Sequence, residues 1–266
     1  MTDTRDSTPQ AAELCIDSVG KSYGDNLAVR SISAEVAAQK ISVIVGPSGC
    51  GKSTLLRIIS GLDRPTTGQV RFEGVPVDGV PEGLAMVFQD YSRSLFPWMR
   101  VRKNVAFPIK HLPPKARAER VMFAIEEVGL LSKENLYPWQ MSGGMQQRVA
   151  IARALASHPK LLLMDEPFAS VDAQTRADLE DLVMRIQQEL GITVLVVTHD
   201  IDESVYLADR IFVLSEPPSV VTDVIEVDLP RPRDHVQTKT DPRFVEIRGH
   251  VTRILRGGAT SSQEVV

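Results

Sequence analysis

The chain has 266 residues, enough for one large α/β domain or two small ones. With 43% hydrophobic and 24% charged residues it has the make-up of a soluble globular protein. A net charge of −4 without a dense basic block, and only 5% aromatic residues, argue against a nucleic-acid partner. No apolar run approaches the ~18 to 20 residues needed to cross a bilayer, so any membrane association has to run through a partner. Met1 to Ala12 is polar and has no apolar core of a secretion signal. The two cysteines, Cys15 and Cys50, have no metal-ligand or disulfide spacing, which fits a reducing, cytoplasmic setting.

In chain order, short apolar runs predict strands at Leu14–Val19, Ile32–Val36 and Ile41–Val45. The third runs directly into Gly46-Pro47-Ser48-Gly49-Cys50-Gly51-Lys52-Ser53-Thr54, which matches G-x-x-x-x-G-K-[ST] and is followed by a helix over Thr54–Ser60. Glycines there let backbone N–H groups converge on phosphate oxygens, and the helix start adds partial positive charge. Lys52 supplies a full charge for the β and γ phosphates, and the Ser53 hydroxyl is placed to ligate Mg²⁺. The motif predicts a bound nucleoside triphosphate, without separating ATPase from GTPase or kinase.

Further strands are predicted at Gln69–Phe72 and Leu84–Phe88, the second ending at Gln89, whose amide oxygen can reach a metal or an attacking water. From Asp90 to Ser157 the pattern changes. Helical periods over Lys115–Val128 and Met145–Ala156 describe an insertion that splits the strands into two sets. Within it, Ser142 followed by Gly143 and Gly144 reads as an N-cap at a helix start, a second anion site in the same chain.

The strand Leu161–Met164 ends in Asp165 and Glu166. Ligands of doubly wound sheets sit at the carboxyl ends of strands, so Asp165 is placed to hold Mg²⁺ and Glu166 to activate a water against the γ-phosphate. A Glu directly after the Asp suits hydrolysis. The strand Thr193–Val197 leads to His199, placed to hydrogen-bond the γ-phosphate, while Asp200 and Glu203 read equally well as a helix cap. A last strand covers Arg210–Leu214. Leu229-Pro230-Arg231-Pro232-Arg233 is expected as a stiff extended linker, ahead of a helix with Phe244, Ile247, Val251 and Ile254 on one face.

Met141-Ser142-Gly143-Gly144-Met145-Gln146-Gln147-Arg148 adds the deciding signature. Together with Gly46–Thr54, Gln89, Asp165-Glu166, Ser170-Val171-Asp172 and His199, in this order, it makes the chain resemble the ATP-binding subunits of ABC transporters. The resemblance implies a P-loop α/β fold with an inserted helical subdomain and a short antiparallel β portion. It implies a domain over residues 13–228, its helical subdomain from about residue 90 to 157, then a linker and helix over 229–256. Residues 1–12 and 257–266 are expected to be disordered.

The same resemblance implies ATP and Mg²⁺ as ligands, with Glu166, His199, Lys52 and Gln89 catalytic and Tyr23 stacked on adenine. It also implies a head-to-tail dimer, in which one copy's Gly46–Thr54 faces the other's Ser142–Gly144 across each ATP. Two departures stand out: Met141 and Met145 replace Leu and Gln of the common signature, and Val171 replaces a Leu. Ser142–Met145, the stretch Phe88–Trp98 and Asp228–Arg233 are similar to the nitrate/sulfonate/taurine group of bacterial importers. That implies permease subunits as partners, with Leu95-Phe96-Pro97-Trp98 partly exposed beside Gln89 as a docking surface, the other reading being that these aromatics pack the helical insertion, and indirectly a periplasmic or lipid-anchored solute-binding protein. Two other readings fit parts of the pattern. An ABC-type ATPase acting on nucleic acid or ribosomes would carry two cassettes in one chain or a long coiled-coil insertion, whereas this chain has one cassette, a short insertion and no basic patch; a P-loop kinase would leave Ser142–Gly144 without a purpose.

Overall fold

The computed structural model describes residues 12–90 and 94–260. Residues 1–11 and 261–266, expected as disordered, and Tyr91, Ser92 and Arg93 of the docking stretch lie outside the described residues.

Five strands run parallel through the centre in the order β9-β3-β8-β7-β6. They are β3 (Ile41–Val45), β6 (Leu84–Val87), β7 (Leu161–Asp165), β8 (Thr193–Thr198) and β9 (Arg210–Leu214). Every residue of β3, β7 and β8 is buried, as strands covered on both faces require. Alternate side chains feed two cores. Val43, Val45, Leu162, Met164, Val194 and Val196 face one; Ile44, Leu161, Leu163, Leu195 and Val197 face the other.

The antiparallel portion is larger than the sequence suggests. Strands β1 (Ala12–Tyr23) and β2 (Asn26–Ala37) form a hairpin, with β4 (Thr67–Phe72) and then the short β5 (Val75–Pro76) beside β1. Strand β10 (Ser219–Glu226) pairs antiparallel with β9 and parallel with β2, joining both portions into one ten-stranded sheet among the described residues. All eight predicted strands are present; β5 and β10 are additions. Burial along β10 is only partial and alternating, and polar Thr222 and Asp223 interrupt its apolar run, which hides it from a search for buried strands.

Helix α1 (Lys52–Ile59) follows β3 and packs Leu55, Leu56, Ile58 and Ile59 into the second core. The insertion carries α2 (Val101–Ala106), α3 (Pro114–Glu127) and α4 (Gly143–Leu155), which pack on one another. Helices α5 (Ala173–Leu190) and α6 (Ile201–Leu207) are the crossovers after β7 and β8. The tail forms α7 (Gln237–Thr240) and α8 (Pro242–Thr260).

Three tail expectations meet different outcomes. Phe244 and Val251 of α8 are fully buried and Ile247 and Ile254 partly so, against α6 and β9, as the single apolar face predicts. Helix α8 runs on to Thr260, so residues 257–260 are helical rather than disordered. Leu229–Arg233 is not a free linker. Leu229 is buried, and Arg233, 8% exposed, donates from its two terminal nitrogens to the carbonyls of Tyr206 (2.6 Å) and Ala208 (2.9 Å). A Pro-rich sequence predicts stiffness, but not that an arginine can satisfy two carbonyls at the end of α6.

Candidate functional site

The parallel strands end flush. Val45 pairs with Thr198, Asp165 with Val197 and Val87 with Met164, so the loops after β3, β8, β7 and β6 emerge side by side. Register alone thus brings Gly46–Thr54, His199, Glu166 and Gln89 to one edge of the sheet.

The phosphate loop is tightly built. Gly51 is the N-cap of α1 with φ 94°, and a Cβ there would lie 2.9 Å from Val29 Cγ2, so only glycine allows the turn against β2. Cys50 is fully buried, its Sγ packed near Gly46, and burial pushes its thiol up; it is a packing residue, not a nucleophile. Lys52 folds back over the loop and donates to the carbonyls of Gly46 and Pro47, both at 2.8 Å. These contacts hold its ammonium at the loop's mouth. Ser48, Gly49 and Ser53 are exposed there, and Thr54 is half-buried in the first turn of α1.

Glu166 is the hub. Its backbone has φ 42°, a left-handed conformation that a non-glycine residue adopts at a cost of roughly 1 to 3 kcal/mol. Its N–H still bonds Val197 O at 2.8 Å, so the main chain stays with the sheet while the side chain turns across the strand ends. There Oε2 accepts from Gln89 Nε2 at 3.0 Å and lies 3.1 Å from His199 Nδ1, and Oε1 is 4.0 Å from Lys52 Nζ. The predicted use of Gln89 was its amide oxygen; in this state its amide nitrogen makes the bond and holds the carboxylate. Asp165 accepts from the Ser53 hydroxyl at 3.1 Å, and burial pushes its carboxyl up, against the Ser53 hydrogen bond that lowers it.

Ser142 stands apart from this cluster. It caps α4, accepting from Met145 N at 3.3 Å, and both it and Gly143 are exposed. Gly144 is buried, and a Cβ would come within 2.3 Å of Thr175 Cγ2, so the signature helix sits directly on α5. Ser142–Gly144 thus make their contacts with Met145, Gln146 and Thr175. Asp172 caps α5 by accepting from Thr175 N and Oγ1. Met145 is half-buried against the main core, so its apolar side chain has a packing role where the common signature has Gln.

Tyr23 lies at the hairpin turn and is 49% exposed. Its hydroxyl donates to Asp63 Oδ2 at 2.8 Å, and Lys21 Nζ sits 4.9 Å from its ring centre, which fixes the ring's position. The Lys21 and Tyr23 hydrogen bonds hold the Asp63 carboxyl low.

Two features near the site escaped the sequence. Asp200 caps α6, accepting from Glu203 N at 3.1 Å, but the Glu203 carboxyl itself is buried. Arg176 of α5 pairs with Asp200 at 3.1 Å. The available signal was Glu180, an acid on a helix face otherwise made of Leu179, Val183 and Ile186. In the docking stretch, Leu95 is buried in the core rather than exposed. Phe96, Trp98 and Phe107 remain as an aromatic group, with ring centres 5.6 and 4.5 Å from Phe96 and Trp98 70% exposed. Buried Asn104 ties this loop down through Phe96 N and the carbonyls of Phe96 and Met99.

A triphosphate-binding loop, an acidic strand end and a second glycine-bearing helix start define a P-loop nucleotide hydrolase of the cassette type. The family profile for ABC transporters matches residues 29–169, and the chain belongs to that family. It is 40% identical to the nitrate import ATP-binding protein NrtD of Synechocystis sp., over 93% of this chain and 95% of that protein. It is 45% identical to the aliphatic sulfonates import ATP-binding protein SsuB 1 of Xanthomonas axonopodis pv. citri, over 81% of this chain and 86% of that one. A solved dimer of the ATP-binding cassette MJ0796, in a post-hydrolysis state with ADP and phosphate, superposes with TM-score 0.71 and 30% identity. It covers 82% of this chain and all of that one. The chain is an ATP-binding, ATP-hydrolysing cassette of this family.

Proposed function

We propose that this cassette energises import of a small anion, nitrate or a sulfonate such as taurine, as a head-to-tail dimer on permease subunits at the inner face of the cell membrane. The observation that carries the enzymatic part is the meeting of Gln89, His199 and Lys52 around Glu166. The relatives named above, both import proteins for small oxyanions or sulfonates, support the class of solute.

On this reading Gly46–Thr54 cradles the phosphates, and Lys52 leaves the Gly46 and Pro47 carbonyls for the β and γ oxygens. Ser53 Oγ, Asp165 and the Gln89 amide form a hard oxygen set, and the 3.1 Å approach of Ser53 to Asp165 fits Mg²⁺, which would neutralise phosphate charge. Glu166 takes the proton of the attacking water, and His199 holds the γ-phosphate side. Tyr23 supports adenine, and a second copy supplies Ser142, Gly143 and Gly144, whose exposed helix start is unfilled within one chain. Residues 13–228 form the ATP-binding domain with its helical subdomain over about 90–157, and 229–256 form the carboxyl-terminal strap.

No described helix is long and apolar enough to cross a membrane, so attachment runs through the permease. A groove of about 620 Å³ lined by Met86, Phe88, Phe96, Phe107 and Arg153 lies beside Gln89 and suits a permease segment. A solute-binding protein acts on the far side, and nucleic acid has no part.

Uptake of nitrate, taurine and an alkanesulfonate by cells lacking this chain tests the proposal. Loss of one uptake, restored by the wild type but not by Glu166→Gln, is expected; three unchanged uptakes would overturn the importer assignment. Light scattering should show a doubling of mass when Glu166→Gln binds ATP, and a strict monomer would remove the head-to-tail dimer.

A further inference from the structure

Next to Asp200, the residue that follows His199, a cavity of about 160 Å³ is lined by Arg176, Glu180, Asp200, Glu203, His235 and Lys239. It joins the starts of α5 and α6 to the carboxyl-terminal strap. Two acids in its wall are almost wholly buried, Glu180 at 2% and Glu203 at 4% exposure. Glu180 Oε2, Glu203 Oε1 and Arg176 Nε are buried without a hydrogen-bond partner. Buried polar atoms left this way cost about 1 to 3 kcal/mol each, so they call for an explanation.

Geometry supplies one. Arg176 and Glu180 are one turn apart on α5, a spacing at which Arg and Glu side chains meet. Arg176 instead gives its guanidinium to Asp200 Oδ2, at 3.1 Å, and Asp200 both caps α6 and directly follows His199. The strap closes over Glu180. His235 stacks on Tyr206 with ring centres 4.1 Å apart. Its Nε2 is 3.2 Å from Asp181 Oδ1, and its Nδ1 is 3.8 Å from Glu180 Oε2. Lys239 lies over the other ring contact of Tyr206, 5.3 Å from its centre.

We propose that Glu180 is a positioning residue for hydrolysis. Arg176 is held by Asp200 while Glu180 lines the same cavity, and protonation of Glu180 decides how firmly Arg176 holds Asp200 and therefore His199. The strap, through His235 and Lys239, sets the balance. This rests on His199 acting at the γ-phosphate.

The charged and titratable groups around Glu180 are Arg176 and Asp181 on its own helix, Asp200, Asp202 and Glu203 at the start of α6, and His235 and Lys239 on the strap. Burial pushes its carboxyl up to about 7, with Lys239 and Arg176 pulling down and Asp200 and Asp181 pushing up. Glu203, more deeply set, is pushed well above the usual carboxylate range by burial. Below neutrality an uncharged Glu180 leaves Arg176 with Asp200. As pH rises, the ionised carboxylate competes for the guanidinium and loosens the cap beside His199.

ATPase rates of the full chain across pH 6 to 9 test this, with kcat and KM separated. Wild-type kcat should fall roughly five- to tenfold between about pH 6 and pH 8, tracking one neutral group, relative to Glu180→Gln, which cannot ionise. KM for ATP should be equal in both, because the phosphate loop is untouched. Parallel kcat profiles, or an effect confined to KM, overturn the proposal. Should Glu180→Gln not fold, Arg176→Gln breaks the same link, and persistence of the wild-type pH dependence there overturns it equally. A fully active His199→Ala would instead sink the γ-phosphate reading, and so separates the two failures.

Discussion

The two anion-facing regions of this molecule are built in opposite ways. Around the phosphate loop the polar side chains of the site hold one another or the backbone: Lys52 on two carbonyls, Ser53 on Asp165, and Gln89 and His199 on Glu166. At the signature the helix start is equally well capped by Ser142, and both Ser142 and Gly143 are exposed. One region is closed by its own internal contacts, which a ligand would have to displace; the other presents an open, capped helix start. Under the proposed head-to-tail dimer a second chain would bring the two together, and assembly itself would become a control point.

The comparison breaks most sharply at Glu166. Glu166→Gln should lower turnover by ~10² to 10⁴ while leaving ATP binding intact, as measured by phosphate release against nucleotide titration. Near-normal hydrolysis would remove Glu166 from the role of base. Lys52→Ala acts on the ground state instead. It removes charge-assisted hydrogen bonds worth about 1.5 to 3 kcal/mol, so nucleotide affinity should weaken about ten- to a hundredfold; equal affinity by calorimetry would contradict the phosphate cradle.

A stability effect of similar size belongs to the buried acid behind the site. The folded Glu180 carboxyl titrates at about 7 against 4.5 for the free group, so between those values the folded state binds more protons than the unfolded one. Its favourable share is complete below about 4.5 and is lost as pH rises through about 7. Thermal unfolding of the wild type should decline across that window relative to Glu180→Gln, by up to ~3 kcal/mol, and superimposable curves would contradict it. The smallest effect sharpens the other half. Ser142→Ala removes an N-cap worth about 1 kcal/mol to α4. It should leave ATP affinity of the isolated chain unchanged while lowering ATP-driven dimerisation; weaker binding to the monomer would place Ser142 within its own site.

Much of this was readable beforehand because the carriers are local. Gly46–Thr54 is contiguous, and its strand-turn-helix setting follows from the apolar Ile41–Val45 and the glycines. Asp165, Glu166 and His199 could be placed at strand ends because the runs before them are nearly all apolar, and the strands do end there. Strand β10 was missed because its polar residues alternate on an exposed face. The contacts of the strap were not legible, because proline content speaks of stiffness and says nothing of Arg233 reaching the carbonyls of Tyr206 and Ala208. Leu95 looked like part of an exposed aromatic run, but the loop turns it into the core.

The sequence by itself determined the local chemistry: which helix starts are glycine-framed, which strand ends carry acids, and which family the chain joins. Only the tertiary structure decided that Glu166 gathers Gln89, His199 and Lys52, that Ser142 caps its own helix at an exposed position, and that Glu180 and Glu203 are buried beside Arg176. The reason is physical. Backbone propensity and apolar periodicity act over a few residues, whereas hydrogen-bond partners and burial depend on strand register and helix packing between segments far apart in the chain.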